Sequence, residues 1–238
     1  MSQAMKKKLM MAGRILVNEG QADFTRGHIS WRLPENPGHF LMKPRQMGLE
    51  EMTEDNIITC DQDGKKVAGG GLRHNEVFIH SEIFRLRPDV QAVIHTHPPH
   101  AVAFSALDRP IEPIGQPSIL FCDALPVYAE TIDLINNAER GVAVAECLGR
   151  EKAMLLKNHG IVVAGGTLEE AVYLALVLEE ACRLQLLVEA AGGPRRLFPP
   201  EDVKVLAERH RRPEASQMTF DYCARKFEPN WRREPAAV

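Results

Sequence analysis

Apolar positions along the 238-residue chain switch repeatedly between a helical and an alternating period. From about Gln3 to Glu19, Leu9, Met10, Ile15 and Leu16 recur at helical spacing and Gly20 follows as a stop signal, which predicts an opening helix. Short, turn-punctuated runs then predict strands over 27–32, 39–42 and 57–61, the last closed by the Asp63-Gly64 turn. Asn75 stands where it would cap a helix running through Phe78, Ile79, Ile83 and Phe84 to Arg87, with Pro88 beyond its end. A strand over 91–95 follows at once, and Pro98-Pro99 closes it and starts a helix over 101–106.

Further on, 118–121 and 125–128 predict strands, and Thr131 or Asp133 caps a helix reaching Leu148, with Gly149 just past its end. Strands over 152–156 and 161–164 flank His159-Gly160. Thr167-Leu168-Glu169-Glu170 is a capping-box pattern and opens the longest helical run, through Val188, before Gly192-Gly193-Pro194. Residues 194–200 read as a linker, and 201–211 and 214–226 as two helices of a tail that either packs back or reaches a neighbouring subunit. The expected fold class is α/β: three layers, α/β/α, around a central mixed, largely antiparallel sheet, with 1–193 as a catalytic domain and 194–238 as a helical tail. No GxGxxG follows a first strand, which disfavours a dinucleotide-binding fold.

Composition narrows the partners. With 45% hydrophobic residues the chain can bury one large core without disulfides. Its 29 Lys plus Arg against 32 acids, a formal charge of -3, give no general attraction to nucleic acid or to an anionic membrane, so the expected partner is a small molecule. No apolar run reaches the roughly 20 residues of a membrane span, and Met5-Lys6-Lys7-Lys8-Leu9 turns amphipathic instead of entering a signal-peptide core, so a cytoplasmic location is expected. Cys60, Cys122, Cys147, Cys182 and Cys223 form no CxxC pair and read as reduced packing residues.

The chemistry concentrates in histidines. His95-Thr96-His97 puts two imidazoles at i and i+2, on one face of an extended strand, where both can meet one cation. A catalytic site for zinc or another first-row ion needs three protein ligands and an open position. His159 is the best third ligand, because Asn158-His159-Gly160 interrupts two apolar strands with a polar turn. Glu76, at a helix start, is a candidate fourth ligand or acid/base group.

Three stretches then carry a family resemblance: Val93-Ile94-His95-Thr96-His97-Pro98-Pro99-His100-Ala101-Val102-Ala103, Leu155-Leu156-Lys157-Asn158-His159-Gly160 and Asn75-Glu76-Val77-Phe78-Ile79-His80. In this order, over roughly residues 8–190, the chain resembles the class II aldolase/adducin family. The resemblance implies an α/β/α domain, commonly a fourfold cyclic tetramer with sites near subunit interfaces. It also implies one divalent metal ion per subunit (zinc, manganese, iron or cobalt) on His95, His97 and His159, with Glu76 as acid/base residue.

Departures from the family pattern set the expected substrate. Sugar-phosphate members hold phosphate with an Asn after glycine, a Thr-Pro-Thr/Ser-Gly loop and a Ser-Ser pair before the glutamate. Here those places read Gly27-His28-Ile29-Ser30, Met42-Lys43-Pro44-Arg45-Gln46 and Arg73-His74-Asn75-Glu76. His28, Ser30, Lys43, Arg45, His74 and Asn75 are therefore the candidate substrate residues, with Arg45 offering a planar fork and Lys43 a point charge for a carboxylate. Residues 118–123 lack the tyrosine proton donor of the aldolases, which makes the chain similar to the decarboxylase-like branch acting on hydroxylated aromatic acids or ring-cleavage products. His80, one turn after Glu76, is an alternative proton donor, and Tyr222 in the tail could enter a neighbouring subunit's site. The expected reaction is decarboxylation of a catechol-type carboxylate such as a dihydroxyphthalate, or of a hydroxymuconic acid, through a metal-stabilised enolate or carbanion. An aldolase of non-phosphorylated hydroxy-keto acids comes next, then a sugar-phosphate epimerase or aldolase, and last a non-catalytic adducin-like interaction protein.

Overall fold

Eight strands pair into one sheet: β1 (His28–Leu33), β2 (Asn36–Met42), β3 (Ile58–Asp61), β4 (Lys66–Ala68), β5 (Ala92–Thr96), β6 (Val127–Tyr128), β7 (Ala153–Leu156) and β8 (Gly160–Gly165). The computed structural model describes residues 2–131 and 133–231. Across the sheet the order is β4-β3-β2-β1-β5-β8-β7-β6, antiparallel throughout except for the β6–β7 pair at one edge. Among the described residues seven α-helices flank it: α1 (Ser2–Leu16), α2 (Val77–Leu86), α3 (Pro99–Ser105), α4 (Ala138–Leu148), α5 (Leu168–Ala190), α6 (Pro200–His210) and α7 (Pro213–Phe227).

Strand alternation sorts the side chains into two cores. Ile29, Leu41, Ala92, Ile94, Leu155, Ile161 and Val163 pack with α1, α3, α5 and α7, whereas Phe40, Met42, Cys60, Val93, Met154, Leu156 and Val162 pack with α2 and α4. The expected α/β/α layering and largely antiparallel sheet are thus observed. Helix α5 is buried on most of its surface, because α1, α3 and α7 cover what the sheet does not. The described part of the tail packs back: Phe220, Cys223 and Ala224 of α7 join the α1–α5 core, and α6 closes over Ile119. Residues 232–238 of the expected tail lie outside the described residues. All five cysteines are free. No helix among the described residues is long and apolar enough to cross a membrane.

Three expectations are corrected. The run 118–121 is a 3-10 turn, Gln116–Leu120, not a strand: Pro117 starts it, and Ser118 Oγ donates to Gly115 O at 2.7 Å. The helix expected from Thr131 or Asp133 begins only at Ala138, where Asn137 accepts from the Arg140 backbone N–H at 2.9 Å and provides the true cap. Asn75 does not cap α2; its Oδ1 accepts from Arg45 at 2.9 Å. The short edge strand β4 escaped notice because all three of its residues are exposed and carry no apolar alternation.

Strand β1 breaks the hydrophobic rule on its α2 face. His28, Ser30 and Arg32 alternate there with Ile29 and Trp31 opposite, and all three are buried. Arg32 spends its guanidinium on the carbonyls of Val90, Pro37, Phe84 and Arg87, a structural use. His28 pairs in register with His95 of β5, so the other end of the stripe lies beside the strand histidines.

Candidate functional site

Strand β5 delivers His95 from its α2 face, and His97 follows just past the strand end. His159 arrives from the tight turn between β7 and β8. That turn explains its own sequence. Asn158 takes φ 58°, a left-handed conformation that asparagine tolerates, and a Cβ on Gly160 would sit 2.3 Å from Thr96 O and 2.8 Å from His97 Cδ2. Only a glycine lets the turn approach β5 closely enough to bring the rings together. The His95 and His97 ring centroids are then 4.8 Å apart, His95 and His159 4.9 Å, and His97 and His159 5.0 Å.

Hydrogen bonds fix two tautomers. His95 Nδ1 lies 2.8 Å from Ile161 O and His97 Nδ1 lies 2.8 Å from Asp23 Oδ2; both oxygens only accept, so each Nδ1 carries the proton. The two Nε2 lone pairs consequently face each other at 3.1 Å, an arrangement that a shared cation relieves. One ligand atom each from His95, His97 and His159 lies within 4.8 Å of the others, so this donor set fits a first-row divalent ion. Burial, with like-charged neighbours adding to it, holds His95 well below the ordinary imidazole range and His159 at about 4; burial also lowers His97, while Asp23 opposes the shift. Neutral rings are what a metal requires of its ligands.

Glu76 sits against this group. Its Oε2 is 3.9 Å from His95 Nε2 and 3.7 Å from His28 Nε2, and its Oε1 accepts from the Ile135 N–H at 3.1 Å. Burial raises its pKa and the Ile135 bond partly offsets the rise. Glu76, His97 and His159 line an open pocket of about 1070 Å³, with Arg45, His74 and Asn75 also in its wall.

The remaining candidates fall in different places. Arg45 reaches the pocket with its Nε buried and unpartnered, and His74 presents an unpartnered Nδ1. Lys43 does not line the pocket: fully buried, with burial lowering its pKa to about 8, it donates to Thr25 O at 2.8 Å and pins the 22–27 loop. His28, Ser30 and His80 form a buried chain behind Glu76, His28 Nδ1 to His80 Nε2 at 2.5 Å and His80 Nδ1 to Ser30 Oγ at 2.6 Å. Tyr222 is 57% exposed on α7 and does not line the pocket. Sequence reasoning missed Asp23, whose only signal was an acid in a glycine-flanked loop, and Gln21, which bridges Thr96 and the Ala175 carbonyl.

Comparison with known proteins agrees with this arrangement. Residues 7–186 match the family described as Class II Aldolase and Adducin N-terminal domain. The chain is 33% identical over 216 residues to a 3,4-dihydroxyphthalate decarboxylase of Arthrobacter keyseri, covering 85% of this chain and 86% of that protein. It is 35% identical over 189 residues to the decarboxylase NovR of Streptomyces niveus, covering 79% and 69% respectively. Among solved structures, the L-fuculose 1-phosphate aldolase from Glaciozyma antarctica PI12 superposes with a TM-score of 0.82 at 29% identity, over 95% of this chain and 90% of that one. With three-quarters of its length matched and the motif histidines gathered in one cluster, the chain belongs to the class II aldolase and adducin family.

Proposed function

We propose that this chain is a lyase of the decarboxylase-like branch of its family. Its assigned reaction is divalent-metal-dependent decarboxylation of a hydroxylated aromatic, catechol-type carboxylate such as a dihydroxyphthalate, or of a related hydroxymuconic acid. The observation that carries the reading is one pocket lined by Glu76, His97 and His159, with His95 buried against them, and walled by Arg45, His74 and Asn75 in place of small hydroxyl donors. Likeness to two proteins named as decarboxylases supports it.

When held by His95, His97 and His159, a divalent cation supplies Lewis-acid stabilisation of negative charge on a substrate oxygen, worth several kcal/mol. The metal is zinc, manganese, iron or cobalt, all of which imidazole accepts. Decarboxylation breaks the ring-to-carboxyl bond, releases CO2 and leaves the electron pair on carbon, which must take up a proton. Glu76 is our assignment for that transfer: it faces the pocket, and its raised pKa keeps a protonated fraction available nearer neutrality. Arg45, steadied by Asn75, holds the spectator carboxylate with His74 beside it. Lys43 works from behind, by fixing the loop that carries Asp23. His28, Ser30 and His80 support the wall, and Tyr222 would act only from a neighbouring subunit of a homotetramer. We assign the protein to the cytoplasm and the described part of its tail, 194–231, to packing on this domain.

The aldolase reading is favoured by one observation, the TM-score of 0.82 to an L-fuculose 1-phosphate aldolase, and opposed by the absence of tyrosine from residues 118–123. Incubation of the metal-loaded protein with catechol carboxylates and with hydroxy-keto acids separates the two. The decarboxylase reading expects CO2 released mole for mole with loss of the aromatic acid; an aldehyde product from the keto acids, without CO2, would overturn it.

A further inference from the structure

His28 Nε2 is fully buried and has no hydrogen-bond partner. It faces two other groups that hold lone pairs toward the same space: Glu76 Oε2 at 3.7 Å and His95 Nε2, the three atoms lying within 4.8 Å of one another. His95 Nε2 is a lone pair because its Nδ1–H is committed to Ile161 O. If His28 Nε2 carried a proton instead, its nearest acceptor would be too far for a hydrogen bond. The chain behind it accommodates the lone pair, because Ser30 Oγ can accept: with His28 Nδ1–H donating to His80 Nε2 at 2.5 Å, His80 Nδ1–H is left to donate to Ser30 Oγ at 2.6 Å. This is the outer-shell pattern that orients a ligating imidazole, and His95 and His97 show the same pattern.

We infer that His28, Glu76 and His95 form a second, inner position for the divalent ion, distinct from the His95, His97 and His159 position at the pocket. This rests on reading the three-histidine cluster as a metal centre. His95 Nε2 has a single lone pair, so it serves one position at a time; the subunit holds one ion with two alternative seats, and His95 belongs to both. His28 and His95 are fully buried, whereas His97 and His159 open to the pocket, so the inner seat is shielded and the outer one meets substrate. An ion in the inner seat engages Glu76, and an ion in the outer seat leaves that carboxylate free for proton transfer.

Cobalt(II) titration of chelator-stripped protein, followed by its visible d–d absorption, tests this without any assay of turnover. Wild type should bind one cobalt per subunit. His159→Ala, which removes only the outer seat, should still bind one, roughly tenfold to a hundredfold more weakly and with an altered spectrum, a loss on the scale seen when a metal's supporting groups are removed. Adding His28→Asn, or separately His28→Gln, to His159→Ala should lower the affinity at least a further tenfold. Equal affinity within twofold for His159→Ala with and without the His28 substitution overturns the inner seat. Circular dichroism of each stripped variant identifies any that fails to fold, and two His28 replacements of different length keep one measurable. Failure of wild type itself to bind cobalt would sink the metal-centre reading instead, so the two failures are distinguishable.

Discussion

Asp23 Oδ2 accepts from His97 Nδ1 at 2.8 Å, across 74 positions of sequence, and so decides which nitrogen of His97 faces the pocket. A carboxylate in this position fixes the tautomer and makes the ring a stronger ligand. Asp23→Asn should therefore lower metal affinity by about tenfold to a hundredfold while leaving the fold intact. Competition with a chromogenic chelator measures the change, and an unaltered dissociation constant would remove Asp23 from the centre.

Glu76→Gln keeps the shape and the Ile135 hydrogen bond but cannot exchange a proton. With all three histidines in place, this variant should still hold its ion. Turnover should fall by about a hundredfold to ten-thousandfold, the usual contribution of a positioned acid or base. Metal content and kcat measured on the same preparation provide the check; parallel loss of both would mean that Glu76 is mainly a ligand.

Much of this site was legible because its residues stand in short local patterns. The HxH spacing at a strand end and the polar turn between two apolar runs both translate directly into side-chain direction, and His95, His97 and His159 did converge. Gln21, Asp23 and the Thr25 carbonyl were invisible because they come from the kinked turn after α1 and the irregular loop beyond it, where no period tells which way a group points. Lys43 and Arg45 show the limit of charge as a guide: two residues apart, one cation is buried as a loop strut and the other opens to the pocket. In the fold, helical periods together with cap and proline signals located the helices flanking the sheet. The failures came at 118–121, where an apolar run is a proline-started turn, at β4, where no side chain is buried, and at the starts of α2 and α4, where Asn75, Thr131 and Asp133 do not cap.

Burial holds His74 and His80 each at about 3, against an ordinary value of 6.5. In the unfolded chain both rings take up protons below 6.5, whereas folded they resist until near 3, so through that range the unfolded state binds more protons and stability rises with pH. Chelator-stripped protein should consequently lose stability as pH falls from 6.5 toward 3, with no such contribution above 6.5. His80→Gln should flatten that slope, because it keeps polar groups toward His28 and Ser30 without a titratable ring. Melting temperatures at about pH 7.5 and about pH 4.5 give the slope for each protein, and identical slopes would contradict the assignment.

Gly160 has no room for a side chain: an added Cβ would meet backbone at Thr96 O, 2.3 Å away, and not merely a side chain that can swing aside. Gly160→Ala should destabilise by about 1–3 kcal/mol through overpacking and push His159 away from β5. Calorimetry should show a lower Tm and metal titration a weaker site. A variant with wild-type melting and affinity would mean that the turn relaxes without disturbing the rings.

Arg45 presents a planar cation to the pocket, with one nitrogen held 2.9 Å from Asn75 Oδ1 and its Nε buried without a partner. A carboxylate that binds there gains charge-assisted hydrogen bonds, each contributing about 1.5–3 kcal/mol. A substrate with a second carboxylate uses that gain, whereas its monocarboxylate analogue has nothing to place there. Arg45→Ala should therefore raise KM for the dicarboxylate by roughly tenfold to a hundredfold and change it little for the monocarboxylate, with kcat for both much less affected. Steady-state kinetics on the matched pair decides the point. Equal KM changes would show that Arg45 shapes the pocket without reading the second carboxylate.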